Sequence, residues 1–573
     1  MPPPSHTAAH DGRPDQPSVL IVGGGPSGLF CAGELARRGV RARLIEQAPA
    51  PHRQTRATVL QSATLELLAS AGLWDAFAAA ARPIRRSQLL LGDGRVLEER
   101  VDAVDSPFPI QLSLPQWRSE ALLTERLQQL GGRIERGVTL QRVEEEGEGL
   151  RLLLEHGDGI RETLRVRYLI DASGAHSLTR ASMREELEGE TYAGHYLVAD
   201  LVLRQPPEAM AQADDLSWLR ISPLGLVLLS PLPEGRTLVF VGGLDPAMEG
   251  QAFSLDSIAA LLAARCGRDH GPADLRWSSG FRMHRRLAPR LADDRRFLLG
   301  DAGHLSSPLG GEGMNSGLLD AADLAWKLAL VLQGAAPESL LESYGIERGL
   351  VDRQVLRFSD QQHRIVEGLV AAAAAGEVPN LPPADPATEL AQQRARAMLN
   401  HSLAGSPLIG GYLGDGLAAS DLPAPAPGER WPDRCRLDLS GPWLLVWGTR
   451  PSDLDAWARR WASRVAWQTF EALRLDPERA GLPASAPSGA VLIRPDGFVG
   501  FRALPFRSLQ KNQPVGQFST ALSLFLAPKA VSTLIKPANS PISASLAWLQ
   551  GIGCSRLGIP LGNRLFMPPP SRA

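Results

Sequence analysis

The chain has 573 residues, 44% of them apolar and 21% charged, with 60 basic against 62 acidic side chains and a formal net charge of -2. That length holds two or three domains with cores of their own, and the near-neutral balance gives nucleic acid no electrostatic reason to bind. The four cysteines, Cys31, Cys266, Cys435 and Cys554, stand far apart with no CxxC pair, which argues against a zinc site, a dithiol centre and a disulfide scaffold.

Residues 1–17 are polar and proline-rich and read as a disordered tail, not a signal peptide. No stretch reaches the apolar length of a membrane span, so a cytoplasmic protein without integral membrane association is expected. The first unit is a strand over 18–23, a glycine turn, a helix from Pro26 to Arg38 ended by Gly39, and a strand from Val40 to Glu46. A helical run follows around 62–78, then a hairpin over 86–100 around Gly92-Asp93-Gly94. Residues 116–130 predict a helix with Leu122, Leu123 and Leu127 on one side. Strands fill 135–170, with an acidic turn at 144–149.

Between 190 and 284 short β-like runs dominate (195–204, 225–230, 237–242), with a helix near 255–265. This stretch lacks glycine-rich nucleotide signals and suits a substrate-covering sheet. An α/β pattern then returns with strand Arg296 to Leu299, a Gly-Asp loop and a helix over 314–332. The Ala-rich, then Pro-rich, stretch 366–385 suggests a boundary. Beyond it, strand 442–447, helix 452–472 and a strand-turn-strand over 491–499 make a third small α/β domain. Residues 515–534 read as a packed helix in preference to a membrane or partner surface.

Three distant segments carry the chemistry. In Gly23-Gly24-Gly25-Pro26-Ser27-Gly28, Gly23 permits the tight turn, Gly25 lets the backbone approach a pyrophosphate, and Gly28 lets the helix pack on the sheet. The helix N-terminus offers free N–H groups to phosphate. Glu46 suits a ribose diol and repels a 2'-phosphate, which points to FAD or NAD, not NADP. Cys31 reads as a small buried side chain.

In the third segment, Gly300-Asp301 delivers a carboxylate to a ribitol or ribose hydroxyl. Pro308 and the glycines bring backbone N–H groups to the start of the helix that Met314 and Asn315 open, where negative charge is stabilised, and Gly310, Gly311 and Gly313 leave room for a flat ring. Asp320, Asp323 and Lys327 read as helix surface and cap partners, Trp326 as core, and His304 as a candidate functional side chain beside Asp301.

These segments resemble the class A flavoprotein monooxygenases, the aromatic hydroxylases that include phenol hydroxylase. Gly23-x-Gly25-x-x-Gly28 is similar to that family's FAD fingerprint, and Gly300 to Gly334 to its Gly-Asp motif. Arg56-Ala57, Gln116 with Glu120, and Tyr344, Glu347 and Arg348 are similar to further family positions, over roughly residues 18–365 in all. Arg494-Pro495-Asp496-Gly497 resembles a marker of the thioredoxin-like domain carried by some relatives.

The resemblance implies an α/β protein: a Rossmann-like FAD-binding domain with an inserted mainly β substrate domain and a C-terminal thioredoxin-like α/β domain. The expected parts are the tail (1–17), the FAD-binding domain's first part with interspersed substrate strands (18–190), the substrate domain (191–284), the second FAD-binding part with long helices (285–375), and a linker with the C-terminal domain (376–573). A packing or dimerisation role suits the last, and a homodimer is left open.

The middle segment departs from the family. Where the pattern reads Ala-Asp-Gly-x-x-Ser, this chain has Ala172-Ser173-Gly174-Ala175-His176-Ser177. Ser173 replaces an acceptor-only carboxylate by a neutral donor and acceptor, and Asp171, two residues earlier, does not replace it if it faces the other way. Ser173→Asp is expected to speed reduction by a nicotinamide. The cofactor set implied is FAD with NADPH or NADH, acting with O2 on a small phenolic or polycyclic aromatic through a flavin C4a-hydroperoxide. The alternatives are a halogenase or other oxidoreductase fed by a separate reductase, or a non-catalytic FAD-retaining interaction protein. No catalytic residue is assigned; His195, Tyr196, Arg220 and His284 stay undecided, and no metal site is visible.

Overall fold

A computed structural model describes residues 17–248, 253–379, 385–413, 428–430, 443–447 and 489–504. Its centre is a parallel sheet of five strands in the order Arg296–Leu298, Tyr168–Asp171, Val19–Val22, Arg43–Glu46 and Ile134–Arg136. Val19, Leu20 and Ile21 are buried, as are Tyr168, Leu169 and Ile170, the two-faced burial that such continuous apolar runs require in a parallel sheet. Helix Pro26–Arg37 starts on a proline already set for the first turn and packs with helix Gly313–Leu332.

The sheet that flanks this core has eight strands. Two of them, Glu188–Leu203 and Pro272–Leu287, run 16 residues each, longer than the short runs the sequence suggests. Their antiparallel pairing shifts register between Thr191 and His195 and again between Asp200 and Val202, and such irregularities interrupt the period-two pattern by which a strand is read. Hairpin Arg86–Leu90 with Val96–Arg100 completes this sheet by pairing parallel to Leu216–Ser222. The helical run at 62–78 is two helices, Ser62–Ser70 and Trp74–Ala80, parted where Gly72 takes φ +71°. The second strand begins at Arg43, later than Val40.

Helix Glu342–Ala375 is continuous over 34 residues and runs through the Ala-rich part of the expected boundary, ending where Gly376 adopts a left-handed φ of 70°. Beyond it the chain returns to the same core. Ala63 N donates to Ala397 O at 3.1 Å, and Arg430 forms an ion pair with buried Glu66 at 2.7 Å. Strands Gly410–Leu413, Trp443–Trp447, Gly489–Ile493 and Val499–Leu504 form a four-stranded sheet. A thioredoxin-like arrangement is not confirmed; the expected helix 452–472 and the stretch 515–534 lie outside the described residues. No helix among the described residues is long and apolar enough to cross a membrane.

Candidate functional site

The three motif segments leave the same edge of the central sheet. Val22 stands in register with Asp171, and Asp171 with Leu298, so the chain's next residues on three adjacent strands form one rim at their carboxyl ends. That is where open α/β sheets bind ligands. Ala172 N donates to Val22 O at 2.8 Å and Leu299 N to Asp171 O at 2.9 Å, which carries the pairing into the loops.

Gly23 has φ +105°, and a Cβ there would lie 2.3 Å from Ala172 O. A Cβ on Gly28 would lie 2.0 Å from Gly23 O, so both positions are closed to any side chain. Gly25 is the opposite: nothing lies within 4 Å of its Cβ position, and the same holds for Gly174. Glu46 Oε2 accepts from Gly24 N at 2.7 Å and Oε1 from Ala48 N at 2.8 Å. Each oxygen keeps a further lone pair for a diol.

In the middle segment Asp171 turns into the loop. Its Oδ1 accepts from Ser173 N at 2.8 Å and from Ser173 Oγ at 2.6 Å, and its Oδ2 from Ser177 Oγ at 2.9 Å. Ser173 therefore has its hydroxyl proton engaged by a fully buried carboxylate. Arg180, which the sequence reading missed, donates to Ala302 O at 2.7 Å and to Ala175 O at 2.6 Å, tying this segment to the Gly-Asp loop. His176 is exposed.

Asp301 is reached by solvent, yet the protein surrounding it raises its carboxyl pKa by desolvation, against the attraction of His304 and Arg56. Arg56 also acts on Glu120, whose pKa burial raises. Gln116 donates to Glu120 Oε1 at 2.9 Å and accepts from Ala57 N at 3.3 Å. Arg56, Gln116, Glu120 and Asp301 thus belong to one neighbourhood.

The loop from Pro308 to Asn315 is pinned from inside. Asn315 accepts from Gln61 N at 2.9 Å and donates to Val59 O at 2.9 Å and Gly311 O at 2.7 Å. Its side chain is fully engaged within the protein, so it contributes to the site through the loop's shape. Gln61 adds a bond to Gly310 O at 3.2 Å.

His304, Asp320, Asp323 and Lys327 depart from their sequence assignment. All four are buried. His304 Nε2 meets Asp320 Oδ2 at 2.8 Å, and Asp320 accepts from Gly300 N at 2.9 Å and from Arg348 Nε at 2.5 Å. Burial acts against the charged imidazole, but Asp352 and Asp320 outweigh it and lift His304 to about 9. Lys327 bonds Asp323 at 2.8 Å and Glu347 at 2.6 Å, and Arg494 reaches Glu347 at 2.6 Å and Asp323 at 3.1 Å. These are structural ion networks under the rim. Tyr344, beside them, donates to the strand carbonyl Leu298 O at 2.7 Å, and Trp326 is core, as expected.

The undecided substrate-side residues are largely engaged. Arg220 Nε donates to Arg265 O at 2.8 Å, and His284 Nδ1 pairs with Thr191 Oγ1 at 2.8 Å. His195 is buried. Burial pushes the Tyr196 phenol up to about 12, and its ring lies among Phe240, Phe281 and His363. His363, unmarked by any sequence motif, is fully buried, stacks on Tyr192 at 3.7 Å and faces Ser307 Oγ at 3.3 Å.

The family described as FAD binding domain matches residues 16–359, over half the chain. The chain is 32% identical over 355 residues to an uncharacterized aromatic compound monooxygenase of Bacillus subtilis (strain 168), a stretch covering 61% of this chain and 68% of that protein. It is 36% identical over 343 residues to the 6-methylpretetramide 4-monooxygenase of Streptomyces rimosus, covering 58% of this chain and 59% of that protein. The solved anhydrotetracycline hydroxylase from Streptomyces rimosus is similar with a TM-score of 0.70 at 26% identity, over 90% of this chain and 99% of that one.

Proposed function

From a chain that belongs to the FAD binding domain family and is a FAD-dependent monooxygenase of the aromatic hydroxylase type, we propose hydroxylation of a phenolic, fused polycyclic small molecule with O2, using NADPH or NADH as electron source. The anhydrotetracycline in the name of the solved hydroxylase supports the polycyclic choice. Halogenase, reductase-fed and non-catalytic alternatives have no observation in their favour.

The observation that carries the cofactor's placement is the register of Val22, Asp171 and Leu298. It gathers Gly23, Gly25, Gly28, Ser173, Gly174, Gly300 and Asp301 on one rim, and the open Cα faces of Gly25 and Gly174 fit a group that approaches backbone closely. Glu46 is assigned to the adenosine ribose, where its charge disfavours a 2'-phosphate. Asp301, with Arg56 near it, is assigned to the ribityl chain, and Gln116 holds the Arg56-Ala57 segment by accepting from Ala57 N. Pro308, Gly310, Gly311, Gly313 and Met314 leave a side-chain-poor wall for the flat ring, at the N-terminal end of a 20-residue helix whose dipole favours negative charge. Bound FAD supplies the electron transfer and oxygen activation; the chain positions, excludes water and sets charge.

The test is anaerobic stopped-flow reduction of the purified holoprotein by NADH and NADPH across a panel of phenolic polycycles, followed by oxygen and mass analysis. Substrate-stimulated reduction and a product heavier by one oxygen atom are expected. A FAD-loaded protein that neither nucleotide reduces, with any panel member present, overturns the proposal.

A further inference from the structure

The loop entering helix Gly313–Leu332 carries a carboxyl that the site as described does not use. Glu312 is 1% exposed, and its Oε2 is buried with no hydrogen-bond partner. The carboxyl carbon and Oε2 both lie 3.0 Å from where a Cβ on Gly310 would stand, so the group is folded over the glycine loop. A buried polar group without a partner loses its hydration with nothing in return, and a carboxylate loses far more than a carboxylic acid. Burial accordingly pushes its pKa up to about 8, and burial is the one cause.

Titratable groups on the segments around the loop are engaged elsewhere. His304 is bonded to Asp320, His363 meets Ser307 and Glu367, and Arg285 pairs with Asp360. His284 pairs with Thr191, Asp301 interacts with Arg56 and His304, and the adjoining Gln61 is neutral. None of them contributes to the displacement of Glu312.

We propose that Glu312 is an acid–base residue toward bound FAD: a carboxyl at the glycine loop that is ionised at alkaline pH in the oxidised protein and takes up a proton when the flavin is reduced. This rests on the reading that the Pro308–Met314 loop lies against the flavin. Where Glu312 is a carboxylate in the oxidised protein, a nicotinamide hydride brings two electrons and one proton to the flavin, leaving it anionic. A second proton from water then converts the Glu312 carboxylate to the acid, because two negative charges in one desolvated place repel. At lower pH Glu312 is neutral before and after, and no extra proton is taken.

The experiment is spectroelectrochemical titration of the bound FAD in wild type and Glu312→Gln from about pH 7 to about pH 9.5, the range that linkage makes informative. The expected midpoint potentials coincide at the acid end, and above about pH 8 the wild-type slope rises toward about twice that of the variant, one extra proton per electron pair. Coincident slopes throughout overturn the inference. If Glu312→Gln does not fold, proton uptake by wild type during anaerobic reduction with reduced methyl viologen, an electron donor that releases no protons, followed with an indicator dye, decides instead. Uptake rising from about one toward about two protons per flavin supports the inference, and about one proton at every pH overturns it. A protein that holds no FAD overturns the cofactor reading and this inference together, whereas a yellow holoprotein with coincident slopes overturns the inference alone.

Discussion

Asp171 engages both carboxylate oxygens within its own loop, and this changes what Ser173 means. The sequence made Ser173 look like a lost carboxylate; the structure shows a carboxylate two residues earlier that holds Ser173 by N–H and O–H and Ser177 by O–H. Ser173→Asp would remove the hydroxyl donor and place a second negative charge beside a buried first one. The single change is therefore expected to lower stability by roughly 1–3 kcal/mol and to leave nicotinamide reduction no faster, read by urea denaturation and stopped-flow. The informative pairing is Asp171→Ala with Ser173→Asp, which moves the carboxylate instead of doubling it. If the single variant alone speeds reduction, the Asp171 clamp has no bearing on the encounter. The motif's position was legible because a buried strand runs straight into a glycine. The direction of Asp171 was not, because side-chain alternation holds along a strand and ends where the loop begins.

At the scale of elements, Arg494-Pro495-Asp496-Gly497 was legible as a turn between strands, and the structure has strands Gly489–Ile493 and Val499–Leu504 on either side of it. What that turn touches was not legible. Lys327 and Asp323 stand four apart on a helix, the spacing of a solvated surface pair, but the cation that completes their network comes 171 residues after Asp323. Arg494 is fully buried against Glu347, Asp323 and Asp496, so Arg494→Ala removes the cation that these three buried side chains share. Breaking a buried network from one side is expected to cost about 3–5 kcal/mol. Chemical denaturation measures that loss, and limited proteolysis should show faster cutting near the turn. Because the same helix begins at the proposed flavin loop, FAD release on dilution should rise as well. An Arg494→Ala protein as stable as wild type would mean that the turn merely rests on the helices.

Across the whole molecule, the buried charges below the rim set a pH dependence with a definite sign. His304 is lifted from 6.5 to about 9 because Asp352 and Asp320 outweigh the burial that opposes its charge. A folded pKa above the unfolded one means that the folded state binds the proton more tightly. The contribution is complete below the unfolded value and is lost as pH rises through the folded one. Asp323, pushed by burial up to about 8, acts with the same sign, since its neutral form offsets an excess of carboxylates beside Lys327 and Arg494. The His304 part of the stability is therefore expected to fall from about pH 6.5 to about pH 9, by about 3 kcal/mol, and the Asp323 part is lost earlier, from its ordinary value of 3.8 up to about 8. Denaturant titrations at the two ends measure the fall, and His304→Gln should flatten the part that belongs to the imidazole. Glu312, raised by burial from 4.5 to about 8, adds to the fall with the same sign below about pH 8, whereas the further proton proposed for it is read from the redox state of the flavin. His304→Gln with an undiminished slope would move the effect to Asp323 and its neighbours. A flat profile in wild type would mean that the buried carboxylates do not hold His304 charged. The bond from Asp320 to Gly300 N gives the fall a consequence at the rim: FAD retention should weaken over the same range, as the network that holds the Gly-Asp loop loses its central proton.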